Sequence, residues 1–162
     1  MTLKLVNKIM KKIKLSQNKY TIVDDEDYNF LNKYKWSTSK NKNVYYARKR
    51  HNNTKITMHR MIMNPDKNKQ IDHINGNGLD NRKCNLRICT QSQNLHNARI
   101  SKRNTSGYKG ISWYKKSKKW LVRIGVNGKN KHIGYFIDIN EAKNSYIKAA
   151  KKYHKEFASD GN

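Results

Sequence analysis

Apolar residues in this chain fall in short alternating runs, not long blocks. Ile13 and Leu15 alternate with polar neighbours, and the turn Ser16-Gln17-Asn18-Lys19 leads into Tyr20-Thr21-Ile22-Val23, which predicts a hairpin. Asp24 stands as N-cap to a helix over 25–34, with acids at the positive end of its dipole. Lys35-Trp36-Ser37 and Val44-Tyr45-Tyr46-Ala47-Arg48 read as strands. The segment 56–63 alternates at first and then turns helical, and Pro65 ends it.

A second pattern begins after residue 66. Gln70-Ile71-Asp72-His73-Ile74 and Asn85-Leu86-Arg87-Ile88-Cys89 are strand-like, separated by Asn75-Gly76-Asn77-Gly78, where Asn and Gly tolerate positive φ. Thr90 and Gln93 form a capping box that opens a helix over 91–99. Ser101 to Gly107 (SKRNTSG) reads as a basic, flexible linker. Strand-like runs at 108–115, 120–126 and 131–137 follow, the last two joined by Asn127-Gly128, a strong two-residue hairpin signal. Asp138 and Glu141 form another capping box. Ala142, Tyr146, Ala149, Ala150 and Tyr153 then share one helix face, ready to cover the sheet.

These elements predict an α+β chain: a small mixed unit at 1–66, a strand–loop–strand–helix unit at 67–100, a linker at 101–107, a three-stranded sheet with one helix at 108–158, and a tail at 159–162. With only 35% hydrophobic residues in 162, several small cores are expected in place of one large one.

Charge narrows the partners. Lys+Arg total 36 against 11 Asp+Glu, giving a formal net charge of +25. Between residues 67 and 137 only Asp72 and Asp80 are acidic. Such a surface attracts a polyanion, and counterion release would supply much of the affinity for nucleic acid. A bias toward Lys and Asn codons accounts for some of the lysine but not for the scarcity of acids. No apolar run is long enough to span a membrane. The opening MTLKLVNKIMKKIKL lacks a continuous apolar stretch and a cleavage site, so a non-secreted, cytoplasmic protein is expected. Cys84 and Cys89 cannot form a disulfide framework and read as small reduced core residues.

The sharpest chemical pattern is Asp72-His73, then Asn85, then Asn94 in the first turn of the helix capped by Thr90. A carboxylate and an amide oxygen suit a hard cation such as Mg²⁺ that keeps several waters. His73 has the ordinary pKa of a general base near neutrality. Neighbouring strand residues point to opposite faces, which suits a cation and a base acting on opposite sides of one phosphorus. His59 reads as a satisfied buried histidine, His51, His132 and His154 as surface or DNA-side residues, and Asp80 and Asn81 as residues that shape the loop.

The run His59-Arg60, Ile71-Asp72-His73-Ile74-Asn75-Gly76-Asn77, Leu79-Asp80-Asn81-Arg82, Asn85-Leu86-Arg87 and Gln93-Asn94 resembles the HNH nucleases of the ββα-metal class, most of all the homing type of phages and introns. Ile22-Val23-Asp24-Asp25-Glu26-Asp27-Tyr28 and Tyr34-Lys35-Trp36 resemble the N-terminal part of phage HNH proteins. The resemblance implies His73 as general base, Asp72 and Asn94 as ligands of Mg²⁺ or Mn²⁺, and Asn85 as the residue pinning the loop that orients His73. Asn94 stands where many members have histidine, and His96 is an alternative ligand. Some relatives hold a structural zinc through two Cys pairs; here a second pair is missing and no such zinc is expected.

Tyr108-Lys109-Gly110-Ile111, Trp120-Leu121-Val122-Arg123-Ile124, Ile133-Gly134-Tyr135-Phe136, Glu141-Ala142 and Phe157-Ala158 resemble the DNA-binding domain of plant APETALA/ethylene-response-factor proteins. That resemblance implies a sheet face in the major groove of double-stranded DNA, with Lys109, Ser112, Tyr114, Arg123, Lys131 and His132 toward the duplex. Arg99, Lys102 and Arg103 would track the backbone before it. Ser112, Tyr114 and His132 replace the plant contact residues, so the plant base preference does not transfer. The combined expectation is an HNH endonuclease, monomeric on DNA, that nicks one strand and is targeted by its C-terminal domain. Two alternatives stay open: a non-catalytic DNA-binding regulator and a basic RNA-binding protein.

Overall fold

The computed structural model describes residues 10–159. The chain divides into two compact units, one ending at Cys89 and the other beginning at Thr90. Among the described residues there are four α-helices and four small sheets, and every pairing between named strands is antiparallel. The opening residues 1–9 and most of the expected tail lie outside the described range.

The first unit opens with the expected hairpin, β1 (Met10–Lys14) on β2 (Tyr20–Asp24), turned by Gln17 and Asn18 at positive φ. Helix α1 (Asp25–Leu31) is shorter than the sequence predicts. Asp24 occupies its N-cap position without capping it, because its Oδ2 accepts the backbone N–H of Lys83 at 2.8 Å. A tertiary donor has won the carboxylate from the helix end. Strands β3 (Ser37–Asn41), β4 (Val44–His51) and β5 (Thr54–Thr57) form a meander. Trp36 precedes β3 and is buried, its indole N–H donating to the Leu31 carbonyl at 2.8 Å. Helix α2 (Met58–Met63) ends where Asn64 takes the left-handed conformation just before Pro65. Last comes a two-stranded ribbon, β6 (Gln70–His73) on β7 (Leu86–Cys89).

The units read from sequence at 1–66 and 67–100 divide differently: residues up to Cys89 share one compact unit, and Thr90 onward falls in the other. Ile13, Leu15, Val23, Leu31, Trp36, Ala47 and Met58 form the core of the first, with Leu79 of the β6–β7 loop packed against it. The loop also joins β2 as a parallel bridge: Ile22 N–H donates to the Leu79 carbonyl, and Asn81 N–H to the Ile22 carbonyl.

The second unit opens with α3 (Gln91–Asn97), whose Thr90/Gln93 capping box is present in both directions. Residues 104–111 are tied to the sheet that follows. Ser106 Oγ donates toward the carbonyls of Tyr108 and Ile111, and Asn104 Nδ2 to that of Tyr108. The stretch expected as a flexible linker is thus turned onto the sheet. Strands β8 (Ile111–Tyr114), β9 (Lys119–Val126) and β10 (Lys129–Phe136) form a meander covered by α4 (Ile139–His154). Asn127 and Gly128 both take positive φ at the β9–β10 turn, and Asp138 caps α4 through Glu141 N–H. Ala142, Tyr146, Ala149 and Ala150 are the buried face of that helix.

Gly110 is fixed by space as well as by conformation. At φ +69°, a Cβ there would also collide with the Arg123 carbonyl and the Tyr146 ring. Gly110→Ala is expected to destabilise the protein by about 2 kcal/mol or more, read by thermal or denaturant unfolding. An unchanged midpoint would show that the sheet start relaxes freely.

Candidate active site

The loop between β6 and β7 is held by asparagine side chains, not by regular structure. Asn85 Oδ1 accepts from Asn75 N–H at 3.0 Å, and Asn85 Nδ2 donates to the Asp80 carbonyl at 2.8 Å. One buried amide therefore bridges the two sides of the loop. Asn75 and Asn77 each accept from an N–H two residues on, as Asx turns do, and Asn75 Nδ2 donates to Asp80 Oδ2. Asp80 is buried and doubly bonded by Arg82, Nε to Oδ1 at 2.7 Å and Nη2 to Oδ2 at 2.6 Å. That guanidinium holds the Asp80 carboxyl below the usual carboxylate range. Gly78 is required by closeness and not by positive φ: a Cβ would meet the Tyr45 carbonyl at 2.5 Å and the Tyr46 ring at 2.6 Å.

His73 ends β6 and is buried, 6% exposed. Its Nε2 lies 3.3 Å from Asn81 Oδ1. The hydrogen-bond chain behind Asn81 fixes which way the proton lies. Thr21 Oγ1 donates to the Leu79 carbonyl at 2.7 Å, so it must accept from Asn81 Nδ2, also at 2.7 Å. Asn81 then presents its acceptor oxygen to His73, and Nε2 carries the hydrogen. Nδ1 is left as the basic nitrogen. Burial pushes the His73 pKa below its ordinary 6.5, outweighing the upward pull of Asn81, Asp72 and Asp80.

Two rings stand against His73. His59 stands perpendicular to His73 at 5.0 Å between centroids, and Tyr46 lies 5.7 Å from His59 and 5.8 Å from His73. His59 is not the satisfied histidine expected. Its Nε2 pairs with Thr57 Oγ1 at 3.0 Å, while its Nδ1 is buried without a hydrogen-bond partner. Asp72 is buried as well, 5% exposed, and faces Arg87 across the ribbon; Arg87 Nε and Nη2 reach its Oδ2 at 2.8 and 2.6 Å. The other carboxylate group, Asp24, Glu26 and Asp27, is engaged by the Lys83 ammonium on Glu26 and Asp27 and by Lys83 N–H on Asp24.

Other predicted residues fall in the second unit. Asn94 lies in the first turn of α3, half-buried. His96, the alternative ligand, is instead stacked on His154 at 3.6 Å with the rings 7° apart. His154 is buried, not a surface residue, and its Nε2 lies 2.7 Å from the Gly125 carbonyl. Lys109 is also turned from its expected role: its ammonium donates to the carbonyls of His96 and Ala98. Lys131 belongs to the α4 side of the sheet, with its ammonium 4.9 Å from the Tyr153 ring centre. Ser112, Tyr114, Arg123 and His132 are exposed and share the opposite face by strand register. Tyr135 joins them, 5.4 Å from Tyr114 and 4.9 Å from His132. Arg99, Lys102 and Arg103 are exposed. Cys89 is buried but Cys84 is exposed, so only one cysteine is a core residue.

Comparison with known proteins decides the family. The HNH endonuclease model matches residues 64–96. Protein 3.8 of Escherichia phage T7 is 35% identical over 88 residues, covering 54% of this chain and 72% of that protein. The chain belongs to the HNH endonuclease family. No solved structure matches it. The matched segment contains Asp72, His73, Asn85 and Asn94, but not Thr21, Tyr46 or His59. HNH nucleases generally depend on a divalent metal. Among the described residues, no helix is long and apolar enough to cross a membrane.

His59 supplies a pH test of this packing. Burial, with His73 and Arg60 nearby, pushes its pKa down to about 3. The folded pKa lies below the unfolded one, so unfolding takes up a proton, and stability is lost as pH falls from about 6.5 toward 3. The wild-type melting temperature is expected to drop more steeply between about pH 7 and 5 than that of His59→Phe. Parallel curves would remove His59 as the cause.

Proposed function

We propose that this HNH protein is a homing-type, metal-dependent endonuclease that hydrolyses one phosphodiester of duplex DNA. In this reading the exposed face of the β8–β10 sheet brings it to its target. The observation that carries the reading is His73, buried beside Asp72 with its tautomer fixed by Asn81 and Thr21. A base that accepts a proton from water needs its ring held in one orientation, and the bond to Asn81 supports that here.

Asp72 is the assigned cation ligand in the first unit. Its chemistry fits a hard divalent ion: a buried carboxylate supplies the oxygen donors such an ion takes. Such a cation supplies Lewis-acid stabilisation of charge on the phosphate oxygens. Asn94 is the second ligand implied by the family pattern, and the metal is Mg²⁺ or Mn²⁺. His73 Nδ1 takes the proton of the attacking water, and Asn85 positions the loop behind it. One such site per chain supports a nick by a monomer. DNA contact by the second unit is proposed through Ser112, Tyr114, Arg123 and His132, with Arg99, Lys102 and Arg103 on phosphates. Residues 105–158 carry 13 Lys/Arg against 3 Asp/Glu, which supports binding to a polyanion. The resemblance to the plant DNA-binding domain supports the same use.

The test is nicking of a supercoiled plasmid carrying the DNA that flanks the gene, with Mg²⁺ or Mn²⁺, followed by run-off mapping of the cut. Wild type is expected to nick. His73→Ala should lose at least about a hundredfold in rate while retaining DNA binding by gel shift. Asn81→Leu should lose about tenfold or more with binding intact, and Asn94→Ala tests the second ligand separately. DNA binding without metal-dependent nicking by wild type would leave a regulator. Tighter binding to structured RNA than to duplex DNA at the same salt would leave an RNA-binding protein.

A further inference from the structure

We infer that Arg87 is a positioning residue that grips the Asp72 carboxylate and sets how tightly the site takes a divalent cation. The inference rests on the reading of Asp72 as a cation ligand.

Antiparallel register places Asp72 opposite Arg87 in the β6–β7 ribbon. Arg87 reaches one carboxylate oxygen, Oδ2, from two nitrogens, Nε at 2.8 Å and Nη2 at 2.6 Å. An exposed cross-strand pair would be mobile and weak. This one is largely withdrawn from water, with side-chain exposures of 6% for Asp72 and 16% for Arg87. At that separation and burial, the guanidinium offsets the charge of Asp72 strongly.

Two consequences follow from one contact. The planar guanidinium holds the carboxylate plane and keeps a buried anion compensated before any cation arrives. It also repels an arriving divalent ion at close range, so affinity is lower than the carboxylate alone would give. A strut that merely joined two strands would do the first and not the second. Orientation and cation affinity are therefore set against each other by one side chain.

The experiment uses the full chain without DNA and measures Mn²⁺ binding by electron paramagnetic resonance of free Mn²⁺. Arg87→Met keeps bulk and removes charge; Arg87→Lys keeps charge and removes the fork. Arg87→Met is expected to tighten the Mn²⁺ Kd about tenfold, while Arg87→Lys stays within about threefold of wild type. At saturating Mn²⁺ both should nick at least about tenfold more slowly than wild type, because the carboxylate has lost its grip. Unchanged or weaker Mn²⁺ binding by folded Arg87→Met overturns the inference; if that variant does not fold, Arg87→Gln makes the same comparison. Asp72→Asn separates the two readings. Loss of Mn²⁺ binding in Asp72→Asn with no change in Arg87→Met overturns the inference alone. Wild-type binding by Asp72→Asn overturns the ligand reading and the inference with it.

Discussion

The buried amide of Asn81 is the constraint on which the site depends. It is fully enclosed, and each of its polar ends has one purpose: Nδ2 donates to Thr21 Oγ1, and Oδ1 faces His73 Nε2. A buried carboxamide left half-satisfied would cost more than the net gain of a typical hydrogen bond, so this orientation is strongly preferred. Because Thr21 spends its only hydrogen on the Leu79 carbonyl, the direction of the chain is fixed from end to end. The tautomer of His73 is thereby decided on β2, far from it in sequence.

The second constraint is the loop itself. Between His73 and Leu86 regular structure is confined to a single turn of 3₁₀ helix at Lys83–Asn85. Its backbone groups are met by Asn75, Asn77, Asp80 and Asn85 instead. This explains asparagine at these positions: a short amide offers both donor and acceptor to a backbone that has no ladder. Gly78 lets that loop press against Tyr46, which in turn closes the ring cluster around His73.

Features governed by neighbouring residues were legible in the sequence. The Thr90/Gln93 capping box, the Asn127-Gly128 turn and the buried face of α4 each follow from local chemistry or helical spacing. The β1–β2 and β9–β10 hairpins follow from alternation and turn residues, and Asp72, His73 and Asn85 stand out by pattern, whereas the strand expected at Lys35–Ser37 instead runs from Ser37 to Asn41. Features decided across the fold were not legible. Asp24 looked like a helix cap until Lys83 N–H claimed it, 59 residues away. Thr21 and Asn81 are 60 residues apart. His154 reads as polar surface, yet stacking on His96 buries it. Lys109 and Lys131 were misplaced because long side chains reach partners that strand parity does not specify: two carbonyls at the end of α3 for one, a tyrosine ring for the other.

The stretch that identifies the family, residues 64–96, supplies only part of what holds its histidine in place: Asn81 and Asn85 lie inside it, the support of Asn81 outside. Thr21 comes from the first hairpin, Tyr46 from the meander and His59 from α2, all upstream of it. Exchange of this segment between genes would therefore carry the reactive groups without the walls around them. A breakpoint that keeps these walls must fall upstream of β2, so the stretch that works as one piece begins well before its signature.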